Sequence, residues 1–414
     1  MHRSARRAIA LDIATAGSVA YVRHIDEHDH DPQHDQHDHH HQPVAAPPTH
    51  EEFRSAAASF LAASIEAGDH CPAFGAIMPP ALHDRARAWQ RRVHEVGFAG
   101  IHWPVEYGGR GLDRSYTAVW AEECAKARAQ PYLNLQGLIL AGEAILRSGT
   151  DAQKARYLPP TLSGEILWCQ LFSEPDAGSD LAGLTTRAVR DGDHYVLNGQ
   201  KVWCSNGQFA EYGIALARTD PSDPGHRGIS FFLLDMSAPG VGVRPLTQMT
   251  GDQEFCEVFL DDVSTPADTR LGPEHAGWSV AMEVLQDERG SSGASGLISL
   301  ERRLAHLASL QGDDPVLGDE LLRLLVRGHA LKSVLLRSGG GAASASAAKL
   351  LRTELEFDAE LLEASLRGAD GMLGGDATDR LLYAPGMKIA GGSSEIQRNI
   401  IGERILGLPR EPRP

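Results

Sequence analysis

The run Ser173-Glu174-Pro175-Asp176-Ala177-Gly178-Ser179-Asp180 puts small residues, hydroxyls and a glycine directly after the strand-like segment ILWCQLFS. Such a loop exposes backbone N–H groups and can wrap a diphosphate, although on its own the octapeptide reads first as a plain β-turn. Further along, Asn198-Gly199-Gln200-Lys201-Val202-Trp203-Cys204-Ser205-Asn206-Gly207 carries a tryptophan between turns. Its indole could lie against a flat ring while Ser205 donates to the ring's polar edge; the commoner place for a strand tryptophan is the core. No G-x-G-x-x-G follows a strand, which argues against a dinucleotide held in Rossmann fashion. A third group lies on a helical stretch, where Trp278, Ala281 and Leu285 form an apolar stripe that Glu288 continues. A carboxylate on a buried face needs either a salt bridge or a reactive role. Asp287 points off the stripe. Last comes IAGGSSEIQRNI, from Ile389 to Ile400, with two glycines and two serines running into a helix. Ser394 with Gln397 predicts a capping box there, and Gly407 with Pro409 predicts the end of that helix.

These groups sit in a chain of 414 residues with 42% hydrophobic and 23% charged residues, the composition of a soluble globular protein of two or three structural units. A net charge of −16 argues against a general nucleic-acid binder, and no apolar run is long enough to cross a bilayer. The five cysteines show neither metal nor redox spacing, and their odd number argues against a disulfide framework; a reducing, cytoplasmic setting is expected. Residues 1–50 read as a disordered tail, because the His- and Asp-rich stretch 22–50 has too little apolar surface to offset ordering. Its imidazoles could hold a divalent transition metal loosely, but no fixed spacing defines a site, and no metal residues are assigned. The opening MHRSARRAIALDIATAG is a poor secretory signal, and a misassigned start codon would also account for it.

From 51 to 165 apolar residues recur at helical spacing, interrupted by the turn-rich WPVEYGGRGLDRS. From 166 to 275 the texture is of short β-branched and aromatic runs between Gly, Asp and Pro, the pattern of an antiparallel barrel or sandwich. From 276 to 414 helical periodicity returns.

The two loops at this separation, with WPVEYGGRGL (103–112) before them and SSEIQRNIIGERILGLP after, resemble the acyl-CoA dehydrogenase family from about Glu51 to the C-terminus. The resemblance implies an α+β, mainly α fold: an N-terminal helical domain, a middle β-barrel and a C-terminal four-helix bundle, with FAD between barrel and bundle. It implies that Phe172 and Ser173 contact the flavin ring, and that Gly178 and Ser179 lie by the pyrophosphate, Ser179 also near the acyl-CoA. Trp203 would pack on the isoalloxazine, Ser205 would hydrogen-bond it, and Ser393 and Glu395 would touch the FAD. The chemistry implied is α,β-dehydrogenation of an acyl thioester, which needs a polarised carbonyl and a carboxylate base in an apolar pocket.

In many family members the catalytic Glu stands two residues before the Ser/Thr of the closing motif, where this chain has Gly391 after Ala390. The isovaleryl-CoA and long-chain acyl-CoA dehydrogenases instead carry it on a C-terminal-domain helix, immediately before an Arg, which corresponds here to Glu288-Arg289. The resemblance therefore implies Glu288 as the base, the Gly391 N–H as a donor to the thioester carbonyl beside Ala390, and Arg289 on the CoA, the alternative for Arg289 being a surface ion pair. It also implies a branched, cyclic or bulky acyl chain, an electron-transfer flavoprotein as acceptor, and a homo-tetramer. Two departures imply either that the dimer holds FAD differently or that the chain pairs with an unlike partner in a hetero-oligomer: no Arg-x-x-Phe-Gly segment is evident near Ser309–Leu317, and a Gln typical of the FAD contact between subunits is replaced by Gly371. Two other readings stand beside the first, a flavin monooxygenase on the same fold and a non-catalytic subunit that supports its partner's FAD.

Overall fold

The computed structural model describes residues 46–66, 77–223, 225–290, 293–337 and 342–410, with side chains at all of these except 286–290, 293–295, 336–337 and 342–344. Most of the His-rich tail lies outside the described residues.

The chain opens with helices α1 (His50–Glu66), α2 (His83–Glu95), α3 (Arg114–Ala127), α4 (Gly142–Ser148) and α5 (Asp151–Ser163). Helix α2 buries Ala86, Trp89, Gln90 and Val93, an inward face at steps of three and four. Helix α5 starts at a capping box in which the Gln153 N–H reaches the Thr150 hydroxyl at 3.2 Å and the Thr150 N–H reaches the Gln153 side chain at 2.9 Å. The WPVEYGGRGL segment is a loop pinned by Trp103, which is fully buried in the core. Asn134 ties this helical layer to the sheet: its buried amide donates to the carbonyls of Thr161 (3.0 Å) and Ile166 (2.6 Å) and accepts from the Trp168 N–H (3.1 Å). The first strand is thereby fixed at its start, and so is the loop that leaves it.

Eight strands come next: β1 (Trp168–Leu171), β2 (Arg187–Asp191), β3 (His194–Ser205), β4 (Tyr212–Arg218), β5 (Ile229–Asp235), β6 (Val241–Leu246), β7 (Phe255–Pro266) and β8 (Arg270–Leu271). They form one sheet in the order β6-β7-β3-β2-β4-β5-β8, with β1 also paired to β4. The sequence pattern predicts antiparallel pairing, but β1 and β2 both meet β4 in parallel. Parallel neighbours need a long connection, and the segment from Phe172 to Glu211 supplies it for β1 and β4. Along β4, Ala215 and Ala217 enter a core enclosed by the sheet itself, with Leu197, Phe232 and Val258. The alternate residues Ile214 and Leu216 join the helical core through Trp168 and Phe231. Burial on both faces explains why β4 reads as a continuous apolar run.

Helices α6 (Gly277–Gly290), α7 (Gly293–Leu310), α8 (Pro315–Arg337), α9 (Ala342–Arg367), α10 (Asp376–Ile389) and α11 (Ser394–Ile400) complete the chain. Leucines at helical spacing, including Leu300, Leu304 and Leu307 on α7, Leu321 and Leu324 on α8, and Leu355 and Leu362 on α9, share one core. Helix α10 packs along α9, and α6 contacts α9, α4 and β5. Among the described residues no helix is long and apolar enough to cross a membrane, and no cluster of His, Cys, Asp or Glu could hold a metal ion.

Candidate active site

The loop after β1 is a turn built for burial on one side and access on the other. Glu174 and Ala177 exchange backbone hydrogen bonds at 3.0 and 3.1 Å, so the β-turn reading of the octapeptide is correct as geometry. Glu174 and Ala177 are buried, whereas Pro175, Asp176, Gly178 and Ser179 are exposed. Ser173, half-buried, accepts the Val202 N–H at 2.9 Å through its carbonyl, and this stitches the loop to β3 one residue before Trp203. The ring of Phe172 turns into the core, edge-on to Phe231 at 5.9 Å. What Phe172 offers the loop is its main chain, whose carbonyl accepts from Lys201 Nζ at 3.1 Å.

Trp203 is not a core residue. The register between β3 and β7 shifts between Lys201 and Cys204, and Trp203 takes a left-handed φ of 60° within that bulge. A tryptophan there costs about 1–3 kcal/mol of backbone strain. A bulge re-aims one side chain against the strand's alternation, and here it leaves the indole 60% exposed, edge-on to Phe255 at 6.0 Å. Beyond it lie the buried Cys204, then Ser205 and Asn206, the last again left-handed at φ 53°, whose N–H donates to the Glu254 carbonyl at 2.6 Å. Glu254 itself is buried; one of its oxygens has no hydrogen-bond partner, and burial raises its pKa. Across from it stands Tyr383 of α10, whose hydroxyl is pushed up by burial and further by the Glu254 charge.

The closing turn runs through Ala390, Gly391 (φ 65°) and Gly392 (φ 94°). The cap of α11 is Ser393, not Ser394: the Ser393 hydroxyl accepts the Ile396 N–H at 3.4 Å. Two positive-φ glycines in succession bring the chain into the helix one residue earlier than the pair Ser394 and Gln397 predicts. Gln397 instead donates to the Gly391 carbonyl at 3.0 Å. Gly407, at φ 68°, ends the last helical turn as expected. Lys349 of α9 clasps the turn from below, donating to the carbonyls of Gly392 (2.7 Å) and Lys388 (3.2 Å). A cavity of about 260 Å³ opens beside Ser393 and Glu395, bordered by Phe357 and Lys388.

On α6, Val280, Ala281 and Val284 are buried and Trp278 and Leu285 are packed against them. Helical register puts position 288 on the same face, seven after Ala281 and four after Val284. The side chains of Glu288 and Arg289 lie outside the described residues.

The Ser173 loop, with Gly178 and Ser179 at its end, is thus joined through Val202 to the part of β3 that carries Trp203 and Ser205. Ala390, Gly391, Ser393 and Glu395 form a second group on the helical side. Sequence reasoning misses Lys201 and Glu174, which join 2.8 Å apart where that loop meets β3. The available signal is a lysine in the middle of a strand that flanks a conspicuous loop.

Gly371 is buried, and a Cβ there would sit 2.5 Å from the Ala364 carbonyl oxygen. This backbone takes no larger residue, so the Gln expected from the resemblance has no place in it. Gly371→Ala is expected to lower stability by about 1–3 kcal/mol through overpacking, measured as a shift of the urea midpoint. An unchanged midpoint would mean that the segment relaxes freely.

Residues 47–165, 169–263 and 275–406 match the N-terminal, middle and C-terminal domains of acyl-CoA dehydrogenase in turn. The chain is 39% identical to acyl-CoA dehydrogenase IpdE1 of Mycobacterium tuberculosis, over 87% of its own length and 98% of that protein's. The chain belongs to the acyl-CoA dehydrogenase family. Among solved structures, the ChsE4–ChsE5 complex of Mycobacterium tuberculosis superposes with a TM-score of 0.72 at 30% identity, covering 89% of this chain and 100% of the matched one. The Tcur3481–Tcur3483 steroid ACAD superposes at 0.73 with 25% identity, covering 89% and 100%. An acyl-CoA dehydrogenase is an FAD-dependent oxidoreductase, and the residues here fit that cofactor. A strained, solvent-facing indole offers a flat platform, Ser173 and Ser205 stay partly accessible on the adjoining loop and strand, and at Gly178 no atom would lie within 4 Å of an added Cβ, so the main chain is open to a close approach.

Proposed function

We propose that this chain oxidises an acyl-CoA thioester to its α,β-unsaturated product, with Glu288 as base and the Gly391 N–H as a donor to the thioester carbonyl. The observation that carries the reading is the common anchorage of α6 and the closing turn on α9. Helix α6 packs on α9, and Lys349 of α9 holds the turn at Gly392. The base and the carbonyl donor then share one rigid support, which proton abstraction from a weak carbon acid requires.

Bound FAD supplies the acceptor for the β-hydrogen and its electron pair. Ser173 and Ser205 orient the cofactor's polar edge, Trp203 covers one face, and Gly178 and Ser179 lie by its pyrophosphate, with Ser393 and Glu395 touching it from the helical side. Glu288 takes the α-proton as the Cα–Cβ double bond forms, Gly391 steadies the charge that develops on the carbonyl oxygen beside Ala390, and Arg289 and Ser179 hold the CoA. The buried Val280, Ala281 and Val284 give the base an apolar surround that favours proton uptake.

A bulky or cyclic acyl group is the substrate class we favour, on the likeness to the Tcur3481–Tcur3483 steroid ACAD and the small residue at Gly391. An electron-transfer flavoprotein is the proposed acceptor. An unlike acyl-CoA dehydrogenase chain is the proposed partner, because Gly371 leaves no room for the intersubunit Gln and the ChsE4–ChsE5 structure is itself a complex of two chains. The free thiols of Cys124, Cys169, Cys204 and Cys256 suit a reducing cytoplasm.

The test is anaerobic. The purified protein is expected to be yellow and to bleach when an acyl-CoA from a panel of linear, branched and polycyclic chains is added, fastest with the polycyclic ones. Bleaching by a nicotinamide or reduced-flavin donor alone would move the protein to the monooxygenases. Flavin acquired only on coexpression with a partner, with no bleaching by any thioester, would make it a supporting subunit.

A further inference from the structure

We infer that the buried pair Lys201–Glu174 is a positioning device for the flavin seat, one that sets FAD affinity separately from the stability of the fold. The inference rests on FAD lying over Ser173, Trp203 and Ser205, as proposed above.

Lys201 has no exposed side-chain area, and its ammonium donates to Glu174 Oε1 at 2.8 Å and to the Phe172 carbonyl at 3.1 Å. Glu174 is nearly as buried, and its carboxylate accepts three further donors: the Thr185 N–H at 2.7 Å, the Thr185 hydroxyl at 2.8 Å and the Thr186 N–H at 3.0 Å. One ion pair therefore ties together three segments that are distant in sequence: the loop from Phe172 to Ala177, the strand just before the bulge, and the approach to β2. One more bond, Val202 N–H to Ser173 carbonyl at 2.9 Å, runs alongside. The hydroxyl and indole expected to hold the flavin, Ser173 and Trp203, are each one or two residues from an atom of this network.

A hydrophobic plug would satisfy the core at least as well as an ion pair, since burying two charges costs about as much as their attraction returns. An apolar pair, however, would not hold the Phe172 carbonyl, and would leave the direction of the Ser173 loop unset. Trp203 needs such bracing, because its left-handed backbone is strained and persists only when its surroundings over-determine it. Burial opposes both charges: it pulls the Lys201 ammonium below its ordinary value against the attraction of Glu174, whereas Lys201 and the threonine donors outweigh it at Glu174 and hold that carboxyl down at about 2.

The experiment compares apoprotein stability with FAD affinity in the full chain. The double variant Lys201→Met, Glu174→Gln removes both charges and nearly preserves volume. It is expected to melt close to the parent as apoprotein, yet to bind FAD on the order of tenfold more weakly and to shift the visible absorption band of the bound flavin. Leu307→Ala, which opens a cavity in the core shared by α7, α8 and α9, is the control for lost stability alone. A double variant that binds FAD with the parent's affinity and spectrum overturns the inference, and so does one whose affinity falls only as far as the control's at matched melting temperature. A second measurement needs no variant: FAD added to parent apoprotein should slow hydrogen exchange at the Val202, Thr185 and Thr186 amides. Exchange slowed around Trp203 and Ser205 but not at these three would sink the pair's role while leaving the seat in place. No slowing in either region would sink the seat.

Discussion

Glu288→Gln is expected to keep its FAD and lose the reaction. The exchange is nearly isosteric on α6 and removes only the group proposed to accept the α-proton, so the flavin spectrum and the melting temperature should stay at the parent's values. Reduction of the flavin by an acyl-CoA should slow by about 10³- to 10⁴-fold, the span typical for loss of a positioned general base. Rapid-mixing absorbance under anaerobic conditions measures that step apart from binding and product release. Asp287, adjacent in sequence, sits about 100° round the helix from position 288; Asp287→Asn should leave the rate nearly unchanged. Moving the carboxylate back to the closing turn is not expected to restore it. At Gly391 no atom would lie within 4 Å of an added Cβ, so Gly391→Glu has room, but φ of 65° strains any side-chain-bearing residue and would shift the N–H proposed as donor to the carbonyl. Parent-rate reduction by Glu288→Gln would remove this residue from the mechanism.

The helical and strand regions are legible because their periodicities differ and each persists over many residues. Alternation along β3, and three-four spacing on α2 and α6, report which face is buried without reference to any distant partner. The family's loops are legible for a different reason, their order along the chain. Features decided by a partner far away in sequence are not legible. Lys201 and Glu174 are 27 residues apart, and nothing in either neighbourhood announces the pairing. The bulge that turns Trp203 outward is a property of the β3–β7 register, and the parallel pairing of β1 and β2 with β4 is a property of the whole sheet. The start of α11 shows the same limit at short range. Ser393 and Ser394 are chemically equal as caps, and the choice falls to the first because Gly391 and Gly392 both turn left-handed.

Glu363 should prove the most destabilising side chain to remove from the bundle, and acid should reproduce part of the effect. Its carboxylate is 1% exposed and meets Arg303 of α7, Arg367 of its own helix at 2.6 Å and Arg380 of α10 at 2.8 Å. Glu360, one turn earlier, receives Arg303 Nε at 3.0 Å and Arg380 at 3.3 Å. This cluster fastens α10, and so the turn at Ala390 and Gly391, to α9 and α7. Glu363→Ala strands the arginines without their shared counter-charge and should cost about 3–5 kcal/mol of unfolding free energy. Burial alone would raise the Glu363 pKa; Arg380, Arg303 and Arg367 outweigh it and bring the carboxyl down to about 2, below its ordinary 4.5. A carboxyl depressed in the folded state stabilises fully above its unfolded value and loses that contribution as pH falls towards the folded one. The cluster's support should therefore be intact at neutral pH and drain away between about pH 4.5 and pH 2, by roughly 3 kcal/mol. Glu174, also held at about 2, titrates in the same window, so the parent alone cannot assign the loss. The difference between parent and Glu363→Gln can: urea midpoints should lie far apart at pH 6 and converge towards pH 2. Midpoints that stay equally separated across that range would show that Glu363 acts through shape and not through its charge.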